Sequence, residues 1–136
     1  MSESAGVAGL SRHRRRIFLI LWVTYSLALA GMSLVPGASV PSEMLLGWDK
    51  LAHAVAFLVL AGLMLPFVTN RPRWPWLVLG WSVAMALVTE ALQMSTPGRT
   101  FSVFDMLADV VGTVALLLAI GAWVGWRSHR ASASRT

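Results

Sequence analysis

Residues 51–68 read LAHAVAFLVLAGLMLPFV, and only His53 among them is ionisable. At 1.5 Å per residue this run extends about 27 Å as a helix, close to the ~30 Å of a bilayer's hydrocarbon core. Three other runs share that character. Residues 17–35 carry no charge, residues 74–94 carry Glu90 and Gln93 near their end, and residues 103–126 carry Asp105 and Asp109 near their start. Pro36-Gly37, Asn70-Arg71-Pro72-Arg73 and Pro97-Gly98-Arg99 separate them. In lipid every backbone polar group must be satisfied within the chain, which leaves helices or closed barrels, and these runs lack barrel alternation. The expected fold is therefore all-α: a four-helix transmembrane bundle with short loops. Short connections make successive helices antiparallel.

Composition agrees. Of 136 residues, 57% are apolar and 12% charged, against about 25% charged in a soluble domain. This balance excludes both a soluble globular domain and a disordered chain. The chain has no cysteine, so a disulfide framework, a thiolate metal site and a cysteine nucleophile are excluded. The formal charge of +5 reads as a mark of orientation rather than of nucleic-acid binding. Nine basic residues (Arg12, Arg14, Arg15, Arg16, Arg71, Arg73, Arg127, Arg130 and Arg135) fall on one side of the spans, and Lys50 and Arg99 on the other. The positive-inside rule then puts both termini in the cytoplasm. The expected organisation is a basic tail at 1–16, a four-span domain at 17–126 and a basic tail at 127–136, both tails disordered. Arg14-Arg15-Arg16-Ile17-Phe18-Leu19 is similar to a twin-arginine export signal, with Ala28-Leu29-Ala30 as a cleavage site. The apolar run is long for a signal sequence, so the first helix is expected to stay uncleaved. Trp22, Trp48, Trp74, Trp76, Trp123 and Trp126 are expected at the membrane interface, and Trp81 in packing.

The ionisable groups are the informative exceptions, since a charge at the bilayer centre costs about 2.5–3.5 kcal/mol. Asp49, Lys50 and His53 open the second span; Glu90 and Gln93 close the third; Arg99 follows in the loop; Asp105 and Asp109 open the fourth. All lie within roughly 10 Å of the same boundary. Asp49 and His53, Glu90 and Gln93, and Asp105 and Asp109 are each spaced to share a helix face. Ser102 is placed to cap the fourth helix. The two carboxylates after it repel each other unless Arg99, Lys50, a proton or a cation offsets them. Antiparallel packing of the third and fourth spans predicts one network of Glu90, Arg99 and Asp105, with His53 and Asp109 adjoining it. Gly121 and Gly125 form a G-x-x-x-G pair in the fourth span.

Asp49-Lys50-Leu51-Ala52-His53, Glu90-Ala91-Leu92-Gln93, Pro97-Gly98-Arg99, Asp105 and Gly112, in this order on four spans, resemble the VanZ-like family of small bacterial membrane proteins. The resemblance covers about residues 15–125. Two positions depart from it: Phe57 stands where the family often has tyrosine, and Asp109 where it often has asparagine. The family is similar to a determinant of low-level resistance to the glycopeptide teicoplanin, so the resemblance implies a place in a bacterial inner membrane and a link to antibiotic resistance.

The leading expectation is a non-enzymatic cell-envelope protein. Its outer polar cluster (Asp49, Lys50, His53, Glu90, Gln93, Arg99, Asp105 and Asp109) would bind the head group of an envelope lipid or cell-wall lipid precursor, or a glycopeptide. An alternative is a membrane hydrolase or transferase acting on a lipid head group, with His53, Glu90, Asp105 and Asp109 holding a divalent cation. No H-E-x-x-H and no nucleophile elbow appears, so no catalytic residue and no metal ligand is assigned, and no cofactor beyond such a cation is expected. Two more alternatives are a structural or interaction subunit and a small transporter working as an oligomer. The expected partners are membrane lipids and not nucleic acid.

Overall fold

The structure, a computed structural model, describes residues 12–35 and 46–133. Pro36-Gly37, Glu43, Arg135 and the first eleven residues lie outside them. Four helices follow in order: α1 (Arg12–Ser33), α2 (Leu46–Val68), α3 (Trp74–Met94) and α4 (Val103–Ala133). Each is long and apolar enough to cross a membrane, making this a multi-pass membrane protein. Large apolar side chains such as Val55, Leu58, Val59, Val111 and Leu118 are exposed on the bundle's outside, as lipid-facing residues must be.

α1 ends at Ser33, just short of the expected residue 35, and three other bounds differ more from the sequence reading, each for a local cause. α1 begins at Arg12, so the arginines of the expected tail continue the apolar helix. α2 begins before the apolar run, because Trp48, Asp49 and Lys50 complete its first turns. α4 continues through Ala133, past the expected end at Trp126. There Arg127 stacks over Trp123 at 4.6 Å and Arg130 over Trp126 at 4.1 Å, each pair one turn apart.

The connections are set by punctuation residues. Pro75 sits in the first turn of α3, where its missing N–H costs nothing. The α3–α4 loop turns at Thr96-Pro97-Gly98-Arg99, closed by Arg99 N–H to Thr96 O at 3.2 Å. Gly98 has φ +80°, and proline followed by a positive-φ glycine is a type II turn. Ser102 then caps α4: its Oγ accepts the Asp105 N–H at 3.2 Å.

α2 makes its most extensive contact with α4, while α1 packs on α2 and α3 and does not reach α4. Since successive helices reverse direction, α2 and α4 run parallel. Their closest approach is at Gly112, where an added Cβ would lie 2.6 Å from the Ala54 carbonyl carbon. The core has two parts, one around Phe57, Leu60, Met85 and Ala86, the other around Ala61, Val68 and Val78. α1 is attached at three levels. Trp22 stacks on Trp81 with centroids 4.9 Å apart, Tyr25 Oη donates to Ala56 O at 3.2 Å, and Thr96 Oγ1 donates to Ser33 O at 3.3 Å. Trp22 is thus not the interfacial anchor expected of it. It lies three turns into α1 and packs on the core.

Candidate functional site

The sequence-predicted polar residues gather at the end of the bundle opposite the termini, at two depths. The deeper group consists of pairs between the parallel helices α2 and α4. Lys50 Nζ forms an ion pair with Asp105 Oδ1. One turn further in, His53 Nδ1 meets Asp109 Oδ1 at 2.9 Å. Asp105 is buried and Asp109 wholly so, so each carboxylate needs a partner on the helix it faces. An asparagine in place of Asp109 would still accept a hydrogen bond from the histidine ring; aspartate adds charge to that contact. Asp109 Oδ2 is buried with no hydrogen-bond partner among the described residues.

Glu90 is also wholly buried. Its Oε2 accepts the backbone N–H of Ser102 at 2.8 Å, and its Oε1 has no partner among the described residues. The end of α3 thereby holds the start of α4: a carboxylate from another helix takes the N–H at the capping position, beside the positive end of the α4 dipole.

The expected Glu90–Arg99–Asp105 network does not form. Glu90 is spent on Ser102 and Asp105 on Lys50, and Arg99 forms no ion pair among the described residues. The reason is topological. The type II turn carries Arg99 away from the α4 entry, and the parallel α2–α4 contact gives Asp105 a nearer cation.

Arg99 instead lines the shallower part of the site, a cavity of about 220 Å³ between α1, α2, α3 and the turn. Its polar lining is Asp49, His53, Gln93, Arg99, Ser33 and Thr89, and its apolar wall includes Leu29, Met32 and Phe57. With Nδ1 engaged by Asp109, the imidazole has Nε2 left for a ligand. Phe57 keeps this wall apolar where tyrosine would add a hydroxyl. Ser33 and Thr89 have no counterpart in the sequence reading. Both hydroxyls donate to carbonyls in the preceding turn of their own helices, so each reads as an ordinary helix residue until the helices are assembled.

The same end of the bundle holds a cluster with the donors of a cation site. Asp49, His53 and Asp105 each offer a ligand atom, all within 4.8 Å of one another. This set includes Asp49 and leaves out Glu90 and Asp109, unlike the sequence-derived one. Two oxygens and an imidazole suit a divalent ion. Lys50 Nζ, however, is paired with Asp105 and lies 3.3 Å from Asp49 Oδ2, so the ammonium already supplies positive charge there.

Neither a curated protein nor a solved structure matches the chain. The profile of the VanZ/LLP1 family matches residues 6–125, covering all four spans, the paired α2–α4 residues and the Arg99 turn, and the chain belongs to the VanZ/LLP1 family.

Proposed function

We propose that this protein binds the phosphate-bearing head group of an envelope lipid or lipid-linked cell-wall precursor in the cavity beside Arg99. One observation carries the reading. Lys50 and His53 are each engaged by a buried carboxylate, whereas Arg99 lines a half-enclosed cavity and has no carboxylate within ion-pair reach among the described residues. A guanidinium so placed presents a fork of donors suited to a phosphate. Gln93 and His53 Nε2 add hydrogen bonds, and Leu29, Met32 and Phe57 meet the first carbons of the chain. A volume of about 220 Å³ is below the ~300–1,000 Å³ of pockets for drug-sized ligands, which favours a head group over a whole glycopeptide. Glycopeptide resistance of the kind implied by the family resemblance would then work through the lipid rather than by enclosing the drug.

The test is binding of farnesyl phosphate to the purified full-length protein, with inorganic phosphate as the comparison. Hydrogen bonds to charged groups contribute about 1.5–3 kcal/mol, so Arg99→Gln should weaken binding roughly ten- to hundredfold. The melting temperature should stay near wild type, because no partner is left unpaired. Undiminished binding, or a large loss of stability, would refute the assignment. Tighter binding of farnesyl phosphate than of inorganic phosphate identifies the ligand as a lipid.

The reading also requires the cavity to face the outside, with the termini in the cytoplasm. Alkaline phosphatase fused after Thr136 should be inactive, and a cysteine introduced at Ser42 should react with an impermeant maleimide in intact cells. An active C-terminal fusion would put the cavity on the wrong side.

A further inference from the structure

The face that carries the termini has a cavity of its own, unrelated to the polar cluster. It has a volume of about 650 Å³ and lies where α1, α2 and α3 meet. Arg15 and Arg71 stand at its mouth. Among the described residues no carboxylate lies within ion-pair distance of either. A second cavity, lined by Arg12, Arg15 and Arg16, adjoins it and shares Arg15 and Phe67 with it. The Arg15 guanidinium lies 6.0 Å from the Phe67 ring centre, at the boundary between the two.

Below the arginines the walls are apolar. Leu77, Gly80, Trp81 and Ala84 line the cavity from α3, at the spacing of one helix face. From the start of α3 to Ala84 the groove descends about 15 Å, half of the hydrocarbon core. The trough is open at Gly80, where an added Cβ would meet nothing within 4 Å. The stacking and hydrogen bonds of α1 at Trp22, Tyr25 and Ser33 all lie further along the helix than Arg15.

A cationic mouth at the membrane boundary above an apolar trough has the amphiphilic profile of a single lipid. We infer that the α1–α3 groove is a binding site for an anionic phospholipid of the leaflet on the termini side. The phosphodiester lies between Arg15 and Arg71, and one acyl chain runs down the trough past Gly80 to Ala84. The charge complementarity commits the site to an anionic head group. A zwitterionic lipid would bring its own ammonium to the arginines.

The test uses full-length Arg99→Gln protein in neutral detergent, which removes the proposed head-group site on the other face. Lipid retained per chain is counted by native mass spectrometry during titration with dioleoyl phosphatidylglycerol or dioleoyl phosphatidylcholine. Phosphatidylglycerol should be retained in preference. Arg15→Ala and Arg71→Ala should each weaken its binding about fivefold. Gly80→Leu, which fills the open trough without touching the charges, should weaken it as well, with Ala84→Leu as a second plug should the first fail to fold. Replacing Arg127 and Arg130 together by alanine removes two charges from the same face, one more than either single variant, and should change nothing. Equal retention of the two lipids would overturn the proposal. So would wild-type binding by a folded plugged variant, or an equal loss on removing Arg127 and Arg130, since either result means that charge alone attracts lipid to this face.

Discussion

Gly112→Ala should destabilise the detergent-solubilised protein by about 3 kcal/mol or more, at the top of the range for overpacked cores. The added methyl would lie 2.6 Å from the Ala54 carbonyl carbon and 2.8 Å from its Cα. Neither atom belongs to a flexible side chain, so the helices themselves must part. Moving α4 off α2 at this level also strains the Lys50–Asp105 and His53–Asp109 contacts. Gly121→Ala is the comparison: nothing lies within 4 Å of a Cβ there, and its melting temperature should equal or slightly exceed wild type. Equal behaviour of the two variants would show that the α2–α4 approach is looser than described.

Lys50→Ala should cost about 3–5 kcal/mol, because it leaves the Asp105 carboxylate buried without its cation. Lys50 is not deeply placed, with 31% of its side chain exposed, but Asp105 retains only 11%. The anion therefore cannot turn to water for compensation. Combining Lys50→Ala with Asp105→Asn should recover much of the loss, since no charge is then stranded. The same variant examines the cation site. With the ammonium gone, Asp49, His53 and Asp105 are left around a deficit of positive charge, and millimolar Mn²⁺ should raise the melting temperature of Lys50→Ala while leaving wild type unchanged. A metal-induced shift in wild type would favour the hydrolase reading over head-group binding.

The spans were legible because a bilayer enforces length and apolarity, and α3 lies where those rules put it, as does the end of α2. The capping role of Ser102 was also local, hence readable. The partners of the buried carboxylates were not. Chain proximity suggested that Glu90, Arg99 and Asp105 would meet across the α3–α4 loop, but loop length says nothing about which non-successive helices touch. The α2–α4 contact depends on Gly112, a single residue whose small size matters only opposite Ala54. The G-x-x-x-G of Gly121 and Gly125 drew attention through its pattern, yet both positions have open space around them. Ser33 and Thr89 became cavity residues only through the packing of α1 on α2 and α3, which apolar periodicity did not foretell in helices that are apolar on nearly every side.

The pairing of α2 with α4 also bears on how the chain is made. His53 and Asp109 are 56 residues apart, so when α2 leaves the ribosome its histidine has no counterpart, and Lys50 has only the neighbouring Asp49, 3.3 Å away. For the whole time that α3 is synthesised, His53 depends on interfacial water or on the insertion machinery. A chain truncated before residue 103 would leave that imidazole unmatched. Completion of the last helix is thus the event that supplies the earlier one with its buried partners, Asp105 and Asp109.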